Sequence, residues 1–250
     1  MKSSTPTSTG WRRPVGLALA LASLCAPAWS ASNPAMGTWT TTLQGRELDG
    51  NTTNGFEAWY DTVLDITWLA DANVAATRGA TVTGLMGWQA ATDFAANLSL
   101  YGLSGWRLPG NGPVNGSSFV FGTSYNGSTD AGWNITSTES ELSHLYNVTL
   151  GNQGSYTTAG VARSIVTQDG PFTNILPNYY WSSGGISDTS GAWVVSFQGG
   201  DQSFVSKGNA LGVWLVRDGD VPAVPEPGTW GLMGAGLAAV LAWRRRAAAR

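Results

Sequence analysis

The sequence predicts an α+β domain with two helices and a mainly antiparallel sheet, carried between an N-terminal signal helix and a C-terminal transmembrane helix. Three observations predict it. Two stretches with helical signals precede a strand-rich second half, with no repeated β-α-β crossover. Apolar runs stand near both ends, each beside clustered basic residues. Only 12% of the 250 residues are charged, where about a quarter is usual, while there are 33 glycines and 13 tryptophans. That composition suits long loops around an aromatic core.

Residues 31–55, rich in Thr, Gly and Asn, read as an extended segment or an opening strand or two, with Trp39 and Leu43 as the main apolar points. Residues 56–60 and 63–69 read as two strands joined by a turn at Asp61 and Thr62. Leu64, Ile66 and Trp68 alternate onto one face. Residues 88–99 form the clearest helix: Trp88, Ala91, Ala95 and Leu98 make one stripe, widened by Phe94. Gly87 suits the N-cap, and Gly102 lies where the chain must turn away. Thr138 and Glu141 have capping-box spacing, and Leu142, Leu145 and Tyr146 follow as the apolar face of a second, shorter helix. His144 falls off that face and reads as solvated or capping. Residues 110–133 and 151–177 read as long loops, a length that is usually functional or mobile. Strands are expected at 179–183, 192–197, 202–206 and 211–217, with a tight hairpin at Gly199-Gly200. Trp193, Val195 and Phe197 alternate onto one face.

The ends are addresses. Residues 1–30 read as a signal peptide: Lys2, Arg12 and Arg13 precede the apolar run 15–25, and small residues at Ala28 and Ser30 place cleavage between Ser30 and Ala31. Arg12-Arg13 as a twin-arginine signal and Cys25 as a lipoprotein cysteine fit less well, because of Pro14-Val15 and Leu24. Cys25, the only cysteine, leaves with the peptide. One cysteine and one histidine exclude a disulfide framework, a zinc finger and clustered-histidine metal sites. Between the ends, six basic side chains face fifteen acidic ones, a net charge of −9. A body of that sign repels phosphate backbones, so nucleic acid is excluded as a partner. After a linker at 219–223 come Val224-Pro225-Glu226-Pro227, a 16-residue apolar run (228–243) and Arg244-Arg245-Arg246. The run makes about 24 Å of helix, short for a bilayer core of about 30 Å. The arginines behind it stay cytoplasmic. A buried helix would not end in three arginines with no acid nearby.

In motif, run and charge order, residues 224–246 resemble the PEP-CTERM sorting signal of Gram-negative bacteria. The resemblance implies export through the secretion machinery and processing near Pro225-Glu226-Pro227 by an exosortase, an integral-membrane cysteine protease. It also implies at least transient anchoring in the inner membrane and residence in the cell envelope or exopolysaccharide matrix. The body offers a second set of matches. Residues 63–73, Trp106-Arg107-Leu108-Pro109, Glu139-Ser140-Glu141-Leu142, Tyr180-Trp181-Ser182-Ser183, Ala192-Trp193 and Trp214-Leu215-Val216-Arg217 resemble the Lcl C-terminal domain family over residues 56–218. That resemblance implies a C-type-lectin-like fold and, in the adhesin that names the family, adhesion to sulfated glycans. The acidic body disfavours so polyanionic a ligand. The calcium-lectin signature is absent, since Leu176-Pro177-Asn178 lacks the carboxylate. Calcium through Asp71 with Asn73, Asp188 or Asp201 stays open, although isolated loop aspartates usually form turns.

Trp68, Trp88, Trp106, Trp181, Trp193 and Trp214 sit inside predicted elements or motifs and read as core. Tyr125, Trp133, Tyr156 and Tyr179, in loops or at a strand start, are the candidate ligand contacts. Arg107 is expected to pair with a buried carboxylate or carbonyls. No Gly-x-Ser-x-Gly is present, and His144 has no partner at readable spacing. Sulfatase-modifying relatives of the lectin-like fold bind copper through paired cysteines, which this body lacks. The expectation is a non-enzymatic module without a cofactor that binds exopolysaccharide or a surface glycan. A structural biofilm-matrix protein without a specific ligand and a polysaccharide-active hydrolase are the alternatives.

Overall fold

Among the described residues two sheets carry the chain, and alternation along the strands divides most of their buried side chains between two large hydrophobic clusters. The computed structural model describes residues 37–185, 190–221, 235–237 and 244. The signal segment, with Ser30 and Ala31, lies outside the described residues, as does most of the tail. Ala235, Gly236, Leu237 and Arg244 are helical. Among the described residues, no helix is long and apolar enough to cross a membrane.

The first sheet opens with one helical turn, α1 (Trp39–Thr42), running straight into β1 (Leu43–Arg46). It continues through β2 (Ala58–Asp61) and β3 (Ile66–Leu69) and closes with β9 (Val216–Asp218), in the antiparallel order β1-β2-β3-β9. Asp61 is the last residue of β2 rather than part of the turn, because its buried Oδ1 accepts from Val63 N (2.9 Å) and Leu64 N (3.2 Å). The turn is therefore 62–65, with Asp65 at φ 52°. Leu64, Ile66 and Trp68 share one cluster, as their alternation predicts.

A short helix that sequence did not signal, α2 (Val74–Thr77), precedes α3 (Trp88–Asn97), which lies where its stripe placed it. Ala91 and Ala95 are buried, with Trp88, Phe94 and Leu98 packed around them. The second sheet has the order β4-β5-β8-β7-β6: β4 (Thr123–Ser124), β5 (Ala131–Trp133), β6 (Tyr179–Gly185), β7 (Gly191–Ser196) and β8 (Asp201–Ser206). Among the described strands, only β4 and β5 pair parallel. Segment 110–133 thus contains two short strands, and the buried Asp130 draws its loop inward by accepting from Val114 N (2.7 Å) and Val120 N (2.6 Å). Segment 151–177 folds back on itself through Gln153–Val166 and Tyr156–Ala162 bridges. The β7–β8 connection is four residues, 197–200, closed by Gly200 N donating to Ser196 O (2.9 Å).

The last predicted strand, 211–217, is divided. Leu211 bridges Met86 and Gly212 bridges Tyr180, then the buried chain crosses to the first sheet and becomes β9. Val213 and Leu215 face the α3 cluster, while Trp214 and Val216 face the other. Strand β7 likewise feeds both sides, Ala192 and Val194 into one cluster and Val195 into the other. Trp68, Trp106, Trp181, Trp193 and Trp214 are fully buried. Trp88 is half-buried: its Nε1 donates to Ser182 O (2.9 Å), and Lys207 Nζ lies 4.6 Å from its ring centre.

The second predicted helix forms one turn, α4 (Glu141–His144), continued by a π-helical turn at Leu145–Thr149. Its N-cap is Ser140 and not Thr138: Ser140 Oγ accepts from Ser143 N, while the Glu141 carboxylate turns away to Arg107. Ser140 and Ser143 hydroxyls both donate to Gln202 Oε1 (2.5 and 2.7 Å), whose amide donates to Asp130 O (2.8 Å). This buried polar chain fastens α4 to β8. His144 is buried, contrary to the solvated reading. Its Nδ1 donates to Thr136 O (2.8 Å), which fixes the proton on that nitrogen, since a carbonyl only accepts.

Gly132 in β5 has φ +120°, and a Cβ there would meet Ser124 O at 1.9 Å. Gly132→Ala is expected to cost about 2 kcal/mol, from the disfavoured backbone and the displacement of β4. Urea unfolding measures it; a loss below about 0.5 kcal/mol would show that the β4–β5 contact is dispensable.

Candidate ligand-binding site

Tyr125, Trp133 and Tyr156 come from three separate segments: the end of β4, the end of β5 and the 151–177 loop. The fold brings their rings together. Tyr125 stacks on Trp133 (centroids 5.3 Å, planes 18° apart), and Tyr156 lies 5.0 Å from Tyr125 and 4.7 Å from Trp133, edge-on to the latter. Tyr125 is the outermost, 40% exposed. The other two are half-buried.

Asn134 holds the cluster from behind. It sits at φ 58°, a conformation Asn tolerates better than most residues. Its Nδ2 donates to Tyr125 O (2.7 Å) and Tyr156 O (3.0 Å). Its Oδ1 accepts from Arg163 Nη2 (3.1 Å), and Arg163 Nε donates to Gly154 O (2.8 Å). The backbone under both tyrosines is therefore tied by one amide and one guanidinium. Gly160 lies against the Tyr125 ring, where a Cβ would approach within 2.9 Å. Such an arrangement makes a stiff aromatic ledge with polar edges, suited to covering an apolar face of a ligand that carries hydroxyls.

Tyr179 stands apart. Its hydroxyl donates to Asp201 Oδ2 (2.8 Å) and its ring packs into the α3 cluster. Burial, reinforced by that hydrogen bond and the Asp201 charge, pushes the phenol up to about 12. Two of the residues weighed for calcium have partners within the fold, while Asn73 Oδ1 is buried without one. Asp71 Oδ1 accepts from Asn73 N and Asn174 Nδ2 (both 2.9 Å), closing a turn, and Asp201 serves Tyr179. Asp188 lies outside the described residues.

A second aromatic cluster was not anticipated. Phe119 and Phe121 lie over Trp193 at 5.5 and 5.9 Å, and Phe204, opposite Trp193 on β8, closes the side at 5.5 Å. Phe121 and Phe204 remain well exposed. The signal was the alternation Phe119-Val120-Phe121 inside a segment otherwise dominated by Gly, Ser and Asn.

Fold and ledge define the class as an α+β domain with an aromatic surface cluster, and the tail places it. Residues 223–246 match the PEP-CTERM protein-sorting motif. The chain is thus an exosortase-sorted, exported surface protein associated with the cell envelope. Within the matched residues Ala235, Gly236, Leu237 and Arg244 are described, whereas Val224, Pro225, Glu226, Pro227, Arg245 and Arg246 lie outside the described residues. Neither the curated proteins nor the solved structures compared with the chain match it.

Proposed function

We propose that this exported protein is a non-enzymatic binding module that engages exopolysaccharide or another surface glycan through the ledge of Tyr125, Trp133 and Tyr156. In this reading residues 56–218 form a C-type-lectin-like domain of the Lcl C-terminal kind, and residues 228–243 hold the chain at the inner membrane until an exosortase acts. The observation that carries it is the convergence of three aromatic rings from distant segments onto one exposed ledge. Five other tryptophans are wholly buried, whereas Phe121 and Phe204, exposed like Tyr125, belong to a purely apolar cluster without the ledge's polar edges. The ledge is buttressed by one neutral amide and one arginine, whose donors go to Gly154 O and Asn134 Oδ1, which agrees with a neutral or weakly charged sugar better than with a sulfated one.

The test is retention of the full chain on the producer's own matrix polysaccharide. Tyr125→Ala and Trp133→Ala are each expected to weaken retention about tenfold. Trp88→Phe, in the α3 cluster and without ring contact to the ledge, is the control and is expected to leave it unchanged. Equal retention by all variants would remove the ledge from the reading and favour a matrix protein without a specific ligand. Release of new reducing ends from the polysaccharide would favour a hydrolase instead.

A further inference from the structure

We propose that the loop between β1 and β2 is a calcium site, with Glu47, Asp49 and Glu57 as its carboxylate ligands. A carboxylate oxygen of each residue lies within 4.8 Å of those of the other two. Two oxygens on one Ca²⁺, each at about 2.3–2.6 Å, are at most about 5 Å apart, so the three fit around a single ion. Proximity alone would not distinguish this from an ordinary acidic loop. The decisive feature is Glu47, only 7% exposed, whose Oε2 is buried without a hydrogen-bond partner. A buried carboxylate oxygen left without donor or cation is costly, and an ion among the three carboxylates would satisfy it.

The loop orients the group. Glu47 Oε1 accepts from Asp49 N (3.1 Å), Gly50 N (2.9 Å) and Asn51 N (3.1 Å), so Oε2 is the oxygen left over. Gly50, at φ +78°, lets the backbone wrap around that carboxylate. Asp49 is steadied by Asn51 N (2.7 Å) and Asn54 Nδ2 (2.8 Å), and Glu57 by Leu48 N (2.8 Å). No protein cation neutralises them: among the described residues, no lysine or arginine is salt-bridged to any of the three. The adjacent Arg46 gives its guanidinium to Asp220 (2.7 and 2.8 Å). An all-oxygen, carboxylate-rich loop favours calcium over softer metals. A loop that supplies few fixed octahedral positions favours it over magnesium.

The consequence is structural. Leu48, inside the loop, packs with Ala58 and Val221, the last of which closes the described body just before the sorting motif. Calcium would clamp this loop where the chain leaves for its tail. An exported protein meets enough calcium for a site of the extracellular class, with a dissociation constant of about 10⁻⁴–10⁻³ M. This inference is independent of the glycan reading, whose ledge belongs to the other sheet.

The experiment is calorimetric titration and thermal unfolding of the full chain, stripped with chelator and supplied with CaCl₂ or MgCl₂ alone. Calcium at tenfold excess over its dissociation constant is expected to raise the Tm by about 3–6 °C. Asp49→Asn, at an exposed position, and Glu57→Gln are each expected to weaken calcium binding at least about tenfold. Asp71→Asn, in an unrelated turn, should leave it unchanged. Absence of a calcium-dependent heat or Tm shift up to about 10 mM, well above that class of constant, would overturn the proposal. So would an equal response to magnesium, or full calcium affinity in both loop variants.

Discussion

Replacing Arg107 by alanine is expected to cost the domain about 3 kcal/mol. The guanidinium grips Glu141 with two parallel bonds, Nη1 to Oε2 and Nη2 to Oε1, both 2.8 Å. Its Nε and Nη2 also donate to Asp218 Oδ1 at 2.8 and 2.6 Å, and its Nη1 to Leu108 O at 3.1 Å. Arg107 thereby joins its own segment to the start of α4 and to β9, three elements far apart in sequence. Burial alone would lower its pKa, but the hydrogen bonds and charges of Glu141, and then of Asp218, outweigh it and hold the group above its ordinary value. The side chains of Arg107 and Glu141 are 30% and 13% exposed. Removing the arginine would leave Glu141 largely buried without its cation, a loss of about 3–5 kcal/mol for a fully buried pair and nearer the lower end here. Glu141 also accepts from Gly110 N, so Glu141→Gln should follow Arg107→Ala in direction. Lysine at 107 cannot reproduce the fork and should recover less than half the loss. Asp218→Asn should change stability by less than about 0.5 kcal/mol, because that side chain is 81% exposed. Chemical unfolding of the four variants tests the ordering. An Arg107→Ala chain as stable as its parent would mean that the network only decorates the fold.

The part of this network legible in sequence was the arginine's need for a carboxylate; which carboxylate was not. The capping-box spacing assigned Glu141 to its own helix, and that local reading lost to a partner 34 residues away. The same contrast runs through the chain. Helix α3 was readable because its stripe is a local periodicity, and strands β2, β3, β6, β7 and β8 because alternation is too. Residues 211–215 looked like a strand for the same reason. Yet their alternation reports burial on two sides of a crossing segment, and a strand needs a lateral partner that no local pattern specifies. The ledge shows both sides of this limit. Its aromatics stood out by being in polar segments, but Tyr179 stood out equally and packs elsewhere. What separates them is the reach of Asn134 to the carbonyls of Tyr125 and Tyr156, which exists only in the folded chain. Glu47, Asp49 and Glu57 passed unnoticed because acidic residues in a Gly- and Asn-rich stretch are ordinary, and only burial of one of them makes the group unusual. The sorting motif was the reverse case: its residues are read in linear order, so the sequence is itself the signal.

Trp214→Ala is expected to be the most damaging single substitution, at about 4–5 kcal/mol, close to the whole stability of a domain at the lower end of the usual range of about 5–15 kcal/mol. Trp214 sits on the segment that crosses between the sheets, and its ring meets Trp68 (5.5 Å), Phe172 (4.9 Å), Tyr180 (5.6 Å) and Phe197 (5.4 Å). It is wholly buried, and its Nε1 donates to Leu69 O at 2.9 Å. Large-to-small changes of buried aromatics cost about 3–5 kcal/mol through lost transfer energy and the cavity left behind. The upper part of that range applies because the surrounding groups are themselves large rings in two sheets, which cannot collapse inward without breaking strand register. The stranded Leu69 carbonyl adds about 1 kcal/mol. Trp214→Phe separates the two contributions: it keeps much of the ring volume but loses the donor, and should cost about 2 kcal/mol. Tyr125→Ala, on the exposed ledge, should cost about 1 kcal/mol or less. If Trp214→Ala unfolded at the same urea concentration as Tyr125→Ala, the crossing segment would not be the joint that holds the two sheets together, and the assignment of core and ledge aromatics would have to be exchanged.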